Sequence, residues 1–222
     1  MKRAIILILS LTVCLVGQTQ TVESRENPFF YDEFKLGFVY HLDGEVVIAK
    51  LNYHMVFQEM YILEPETDRV LILVHNTDVT HITVGDDIFV PIGRQYAQVI
   101  QDGPVTLLRK RHFVRQEKKK GAYGTPTATA AVDMASHWNF SNAGNAPSSQ
   151  YIGVPVDYLV LTEYFLMKDR KAHLATRRNF LNLYSDVKPL LDRFLRENSV
   201  DFKNEQHLRG LTKYANSLLL AK

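Results

Sequence analysis

The chain has 222 residues, 23% of them charged and 46% hydrophobic, with 26 basic residues against 24 acidic and a single cysteine, Cys14. That length suits one domain or one domain with an appendage and is enough to bury a core. A net charge of +2 excludes whole-molecule attraction to nucleic acid or an anionic membrane, and one cysteine excludes a disulfide framework within the chain.

The chain opens Met1-Lys2-Arg3 and continues with an apolar run from Ala4 to Gly17 before turning polar at Gln18. A charged start, an apolar core and a small-residue exit predict a secretory signal peptide over 1–17, cleaved after Gly17. The run is shorter than the roughly 20 apolar residues of a bilayer span. No transmembrane span is therefore expected in the mature chain. Cys14 is followed by Leu15 and Val16 and preceded by Val13, a poor setting for lipidation. Cleavage removes Lys2, Arg3 and Cys14, which leaves 24 basic residues against 24 acidic and no thiol nucleophile or thiolate ligand.

An N-terminal extension over 18–33 leads into 34–116, where short apolar runs alternate with turn residues. The turns fall at Leu42-Asp43-Gly44-Glu45, Glu64-Pro65-Glu66-Thr67-Asp68, Gly85-Asp86-Asp87 and Gln101-Asp102-Gly103-Pro104. Turns this tight leave no room for crossover helices and predict an antiparallel meander, either a bent sheet or a small barrel. Val70 to Val74 is apolar at every position, which predicts a strand covered on both faces. Phe29, Phe30, Tyr31, Phe34, Phe38 and Tyr40 are expected to fill the core or close an edge, and to form a partner surface where they are exposed together.

Residues 117–150 form a linker or long loop rich in Ala, Ser, Thr, Asn, Gly and Pro that contains the only tryptophan, Trp138. Over 151–169, Ile152 to Val156 and Tyr158 to Met167 predict an additional hairpin, and 170–222 reads as C-terminal helices. Ser185 is a candidate N-cap with Pro189 in the first turns and Asn198 closing the helix, and Asn204 caps a second helix with Leu208, Leu211, Ala215, Leu218 and Leu219 on one face. The predicted fold class is thus α+β, mainly β: an antiparallel meander with a small C-terminal helical lid.

Three stretches, Leu42 to Leu63, Lys118 to Thr125 and Phe180 to Leu208, carry Leu51-Asn52-Tyr53, Glu59-Met60 and Phe202-Lys203-Asn204-Glu205. With these the chain resembles a family of secreted proteins of Bacteroidota-type bacteria, in which a β-rich part leads into a helical tail. The resemblance implies export to the periplasm or the periplasmic face of the outer membrane, and it brings no activity and no catalytic residue.

The search for chemistry gives few candidates. His75, Asp78 and His81 are spaced so that a turn could bring two imidazoles and a carboxylate together, a zinc-type set, but a solvated loop between strands is the better reading and no metal is expected. There is no Gly-x-Ser-x-Gly and no Ser-x-x-Lys, and Asp86-Asp87 reads as a turn. Arg109, Lys110, Arg111, Arg115, Lys118, Lys119 and Lys120 form a basic stretch opposed by Glu117. On a strand Arg109, Arg111 and Arg115 share one face. The plain reading is an edge strand guarded by charge; the functional one is a docking surface made with Tyr123 and Trp138 for an acidic protein, an anionic lipid or lipopolysaccharide. Gly121 to Gly124 lacks the Gly-Lys-Ser/Thr of a phosphate loop, and nucleic acid is not expected.

These readings lead to an exported, non-enzymatic accessory or scaffold protein of the cell envelope that needs no cofactor and contacts an envelope protein or outer-membrane assembly. The alternative is a lipid- or glycan-binding protein with a barrel-like pocket, and a hydrolase would need titratable side chains converging in a cleft.

Overall fold

The computed structural model describes residues 19–25, 27–73, 76–115, 118–120, 126–128 and 156–221. The strands are β1 (Thr19–Arg25), β2 (Lys35–His41), β3 (Val46–His54), β4 (Glu59–Leu63), β5 (Val70–Ile72), β6 (Val79–Val84), β7 (Asp87–Ile92), β8 (Gln95–Gln101), β9 (Thr106–Arg115), β10 (Lys118–Lys120), β11 (Pro126–Ala128), β12 (Val156–Lys168) and β13 (Lys171–Leu174). Three helices close the chain: α1 (Arg177–Leu183), α2 (Lys188–Glu197) and α3 (Glu205–Leu220).

The main sheet is antiparallel, runs β1-β12-β9-β8-β7-β6-β2-β3-β4-β5, and carries β13 on the free part of β12. It consists of two meanders, β2 to β5 and β6 to β9, joined because β6 returns to pair with β2. The sheet is open and bent. Its curl brings Phe113 of β9 to the end of β3, where its N–H donates to the Met55 carbonyl at 2.9 Å. Tyr53 donates its hydroxyl to the Tyr96 carbonyl of β8 at 3.2 Å across the same hollow.

The predicted turns are in place, with Gly44, Gly85 and Gly103 at positive φ. Three hairpin turns use residues other than glycine at positive φ: Gln58 between β3 and β4, Asp68 between β4 and β5, and Asp169-Arg170 between β12 and β13. Val156 therefore belongs to the same strand as Tyr158 to Met167, and the hairpin partner is Lys171 to Leu174, which follows. The expectation for Val70 to Val74 is corrected. β5 is a short edge strand on which Leu71 and Ile72 are exposed, because the helices cover the other end of the sheet.

The concave face carries two cores. One fills the curl with Val39, Leu51, Met60, Ile82, Phe89 and Tyr96. In the other, Ile100, Val105, Leu107 and Leu166 of the sheet region meet Phe180, Leu191 and Leu211 of the helices. Thr176 caps α1 and Asn204 caps α3, accepting from the N–H groups of Gln206 and His207. Ser185 does not cap α2: it opens a 3₁₀ turn, and α2 begins at Lys188 with Pro189 in its first turn, where a missing N–H costs nothing. Among the described residues no helix is long and apolar enough to cross a membrane.

Candidate functional site

Strand β9 reads TLLRKRHFVR, and alternation along it sends Leu107, Arg109, Arg111 and Phe113 to the concave face. Leu107 belongs to the helical core and Phe113 to the core of the curl. The two arginines lie between them. On neighbouring β8 the same progression runs from Tyr96 through Gln98 to Ile100. A polar belt therefore crosses the concave face between the two cores.

The belt is hydrogen-bonded end to end. Tyr31 donates its hydroxyl to Asp87 at 2.6 Å, and the other Asp87 oxygen accepts from the Gln98 amide. Gln98 accepts from Arg109 at 2.6 Å, and Arg109 donates to Glu205 at 2.8 Å. Glu205 also accepts from Arg209 at 2.9 Å, and Arg209 donates to the Ile100 carbonyl. Burial works against ionising Glu205, but the hydrogen bond from Arg209 and the charge of Arg109 hold its carboxyl below the ordinary range. Burial, and then the bond to Asp87, push the Tyr31 hydroxyl well up, so it stays a donor.

Arg111 sits with its guanidinium 4.4 Å from the centre of the Phe30 ring, a cation–π contact. With Tyr53, Phe89, Tyr96, Gln98 and Arg109 these two residues line a cleft of about 10 Å³, room for one water. A small-molecule pocket needs about 300 Å³ or more.

The basic stretch is thus divided by the fold. β9 is not an edge, since it lies between β8 and β12. Arg109 and Arg111 face inward, and Lys110 faces the other way, paired with Glu163 at 2.8 Å. Lys118 to Lys120 form β10, paired with β11 in a ladder of its own. The backbone of Arg115 ends β9; Tyr123 and Trp138 lie outside the described residues, as does His75. Asp78 is exposed in a 3₁₀ turn, and His81 on β6 stacks on Tyr40 at 4.2 Å. Among the described residues no group of three or more His, Cys, Asp or Glu could hold a metal ion.

Two buried asparagines fasten segments to the sheet. Asn52 accepts from the Tyr31 N–H at 3.1 Å and donates to the Tyr31 carbonyl at 2.9 Å, which fixes the aromatic N-terminal segment across β3. Asn216 of α3 does the same to Val105, accepting at 3.1 Å and donating at 2.9 Å, and also accepts from the Tyr184 hydroxyl. Each carboxamide acts as one unit of strand backbone. Leu51 and Tyr53 beside Asn52, and the cap Asn204 with Glu205 as the first residue of α3, all hold the fold together.

The outer face is different. Leu36, Phe38 and Tyr40 of β2 point outward beside Val46 and Ile48 of β3, with Phe38 opposite Ile48. Thr83 of β6 lies opposite Phe38, and Ile88 of β7 opposite Thr83. This row is open to solvent: Leu36 is 62% exposed, Ile48 61% and Phe38 36%. The sequence assigns the aromatic cluster to the core or an edge, or to a partner surface where its members are exposed together. Alternation separates it, because Val39 and Gly37 are the inward residues of β2 and Phe38 and Tyr40 must then face out.

No family model, no curated protein and no solved structure matches this chain.

Proposed function

We propose that the protein is a non-enzymatic accessory or scaffold protein of the cell envelope, exported through its N-terminal leader, that works by protein–protein contact through the convex face of β2, β3, β6 and β7. The observation that carries this reading is the contiguous exposed row Ile48, Phe38 and Ile88 with Leu36 and Val46 alongside. Those residues form a patch on the order of 500 Å², at the upper end of what a solitary soluble protein exposes. The belt on the opposite face supports the same reading. Arg109, Gln98, Asp87 and Glu205 are spent on one another, and the cleft beside them admits a water and not a lipid or glycan. The resemblance to secreted proteins carried by Leu51-Asn52-Tyr53, Glu59-Met60 and Phe202-Lys203-Asn204-Glu205 supports the exported part of this proposal.

A photo-reactive residue in place of Ile48, activated in native envelopes, tests this reading. A protein adduct is expected at Ile48 and not at a control position on the helical layer, such as Lys213. Equal and diffuse labelling at both positions, or none at Ile48, overturns it.

A further inference from the structure

We infer that the outer face of the helical layer docks on a bilayer surface that presents anionic phospholipid head groups. It concerns the side of the molecule opposite the convex row and stands whether or not that row meets a protein.

The first argument is the division of charge along the chain. Residues 18–168 hold 18 acidic residues against 13 basic, whereas residues 169–222 hold 11 basic against 6 acidic. A total near zero is therefore the sum of an acidic sheet and a basic C-terminal part, and such a molecule turns its helices toward a negative surface.

The second is a site with surplus positive charge. Arg177 of α1 donates to one Asp192 oxygen at 2.9 Å, and Arg196 of α2 pairs with the other at 2.9 Å. Lys188, one turn before Asp192 on α2, adds its charge to the same carboxylate. Three cations from two helices thus act on one carboxylate, and the two arginine side chains remain 49% and 66% exposed. Asp192 engages one nitrogen of each guanidinium, which leaves N–H donors to meet phosphate oxygens in the plane that guanidinium favours. Helical period sends Arg178 of α1 and Arg193 of α2 to the same outer side, away from buried Phe180, Leu191 and Leu195. Arg178 and Lys188 are exposed and in no ion pair among the described residues.

The third separates a lipid surface from an acidic protein. Leu190, 51% exposed, lies one turn before Arg193 on the outer side of α2, and Leu220, 75% exposed, lies two turns beyond Lys213 on the outer side of α3. Leucines standing singly among lysine and arginine sink below head groups while the cations stay at the phosphates. A protein contact gathers its apolar residues in one central patch instead, as the convex row does. A bilayer under the helices leaves that row facing away from the lipid.

Flotation of the purified protein with phosphatidylcholine vesicles, with and without phosphatidylglycerol at about one part in three, tests the proposal. The expected result is binding at least about tenfold tighter to the anionic vesicles, weakening as salt rises. Arg178→Glu and Lys188→Glu are each expected to weaken it by about tenfold or more, whereas Ile48→Glu on the convex face leaves it unchanged. Arg178→Gln and Lys188→Gln should give smaller losses in the same direction, which tests the charge where a reversal disturbs the helix. Equal binding to both vesicles, no binding to either, or anionic binding indifferent to all four substitutions overturns the proposal. Binding to poly-glutamate without binding to vesicles also overturns it, and assigns the face to an acidic protein.

Discussion

His54 ends β3 with its imidazole buried between Phe57, Tyr61 and Phe29, and its Nδ1 accepts the Phe57 N–H at 3.2 Å. Nδ1 can accept only in the neutral ring, so Nε2 carries the proton. Burial lowers its pKa to about 4, whereas an unfolded chain holds histidine near 6.5. Between those values the unfolded state binds a proton that the folded state refuses. Stability is therefore fully present above about pH 6.5 and falls as the pH drops toward 4, by at most about 3 kcal/mol. Urea unfolding from pH 7 to 4.5 should record the fall, and His54→Phe should make it shallower whatever that variant does to absolute stability. Burial lowers His81 and His112 as well, so some slope should remain in the variant. A wild-type stability that is level across this range would contradict the buried neutral imidazole.

At the level of elements, the docking of α3 depends on one carboxamide. Asn216 completes the backbone bonds of Val105 and accepts the Tyr184 hydroxyl, all buried. Asn216→Ala leaves these groups unsatisfied and is expected to cost about 2–4 kcal/mol in denaturant unfolding. Gly103 lies beneath the same side chain, with φ at +153° and no space for a methyl group, because its Cβ would collide with the Asn216 amide. Gly103→Ala should be destabilising too. The double variant should cost less than the two single costs together, since removing the amide relieves the collision; strict additivity would refute the contact.

The same elements show what could be read in advance. Asp-Gly and Gly-Asp signals located the turns at 42–45, 85–87 and 101–104 because glycine is needed there for positive φ, and Asn204 was legible as a cap because its side chain acts within its own turn. Asp169-Arg170 and Gln58 adopt positive φ with side chains, a conformation imposed by the pairing of β12 with β13 and of β3 with β4. Local sequence does not encode that imposition. The edge position of β5 was hidden for a related reason: an apolar run reports hydrophobicity, and only the return of β6 to β2 decides which strands end outermost. The belt was half-visible. Leu107-x-Arg109-x-Arg111-x-Phe113 places the arginines on a face bounded by core residues, but Glu205, which neutralises Arg109, is 96 positions away.

On the scale of the whole molecule, two cores share one set of strands. β8, β9 and β12 contribute Tyr96, Phe113 and Val160 to the curl, and Ile100, Leu107 and Leu166 to the helical layer. α1 has 7 residues and α2 has 10, both below the about 12–15 at which an isolated helix becomes even marginal in water. They exist because Phe180, Leu191 and Leu195 are buried on the sheet. Opening the helical layer alone would expose that surface, break the Asn216 clamp and strip Glu205 from Arg109 while the sheet remained. Such an opening costs most of what global unfolding costs and gains little chain entropy, since the strands stay ordered. Native-state hydrogen exchange should therefore give the amides of Leu211 in α3 and Leu51 in β3 the same opening free energy within about 1 kcal/mol. Helical amides that exchange through an opening several kcal/mol cheaper than β3 would show the belt to be a seam between two separately stable units. The Arg109–Glu205 pair would then be the hinge at which they part.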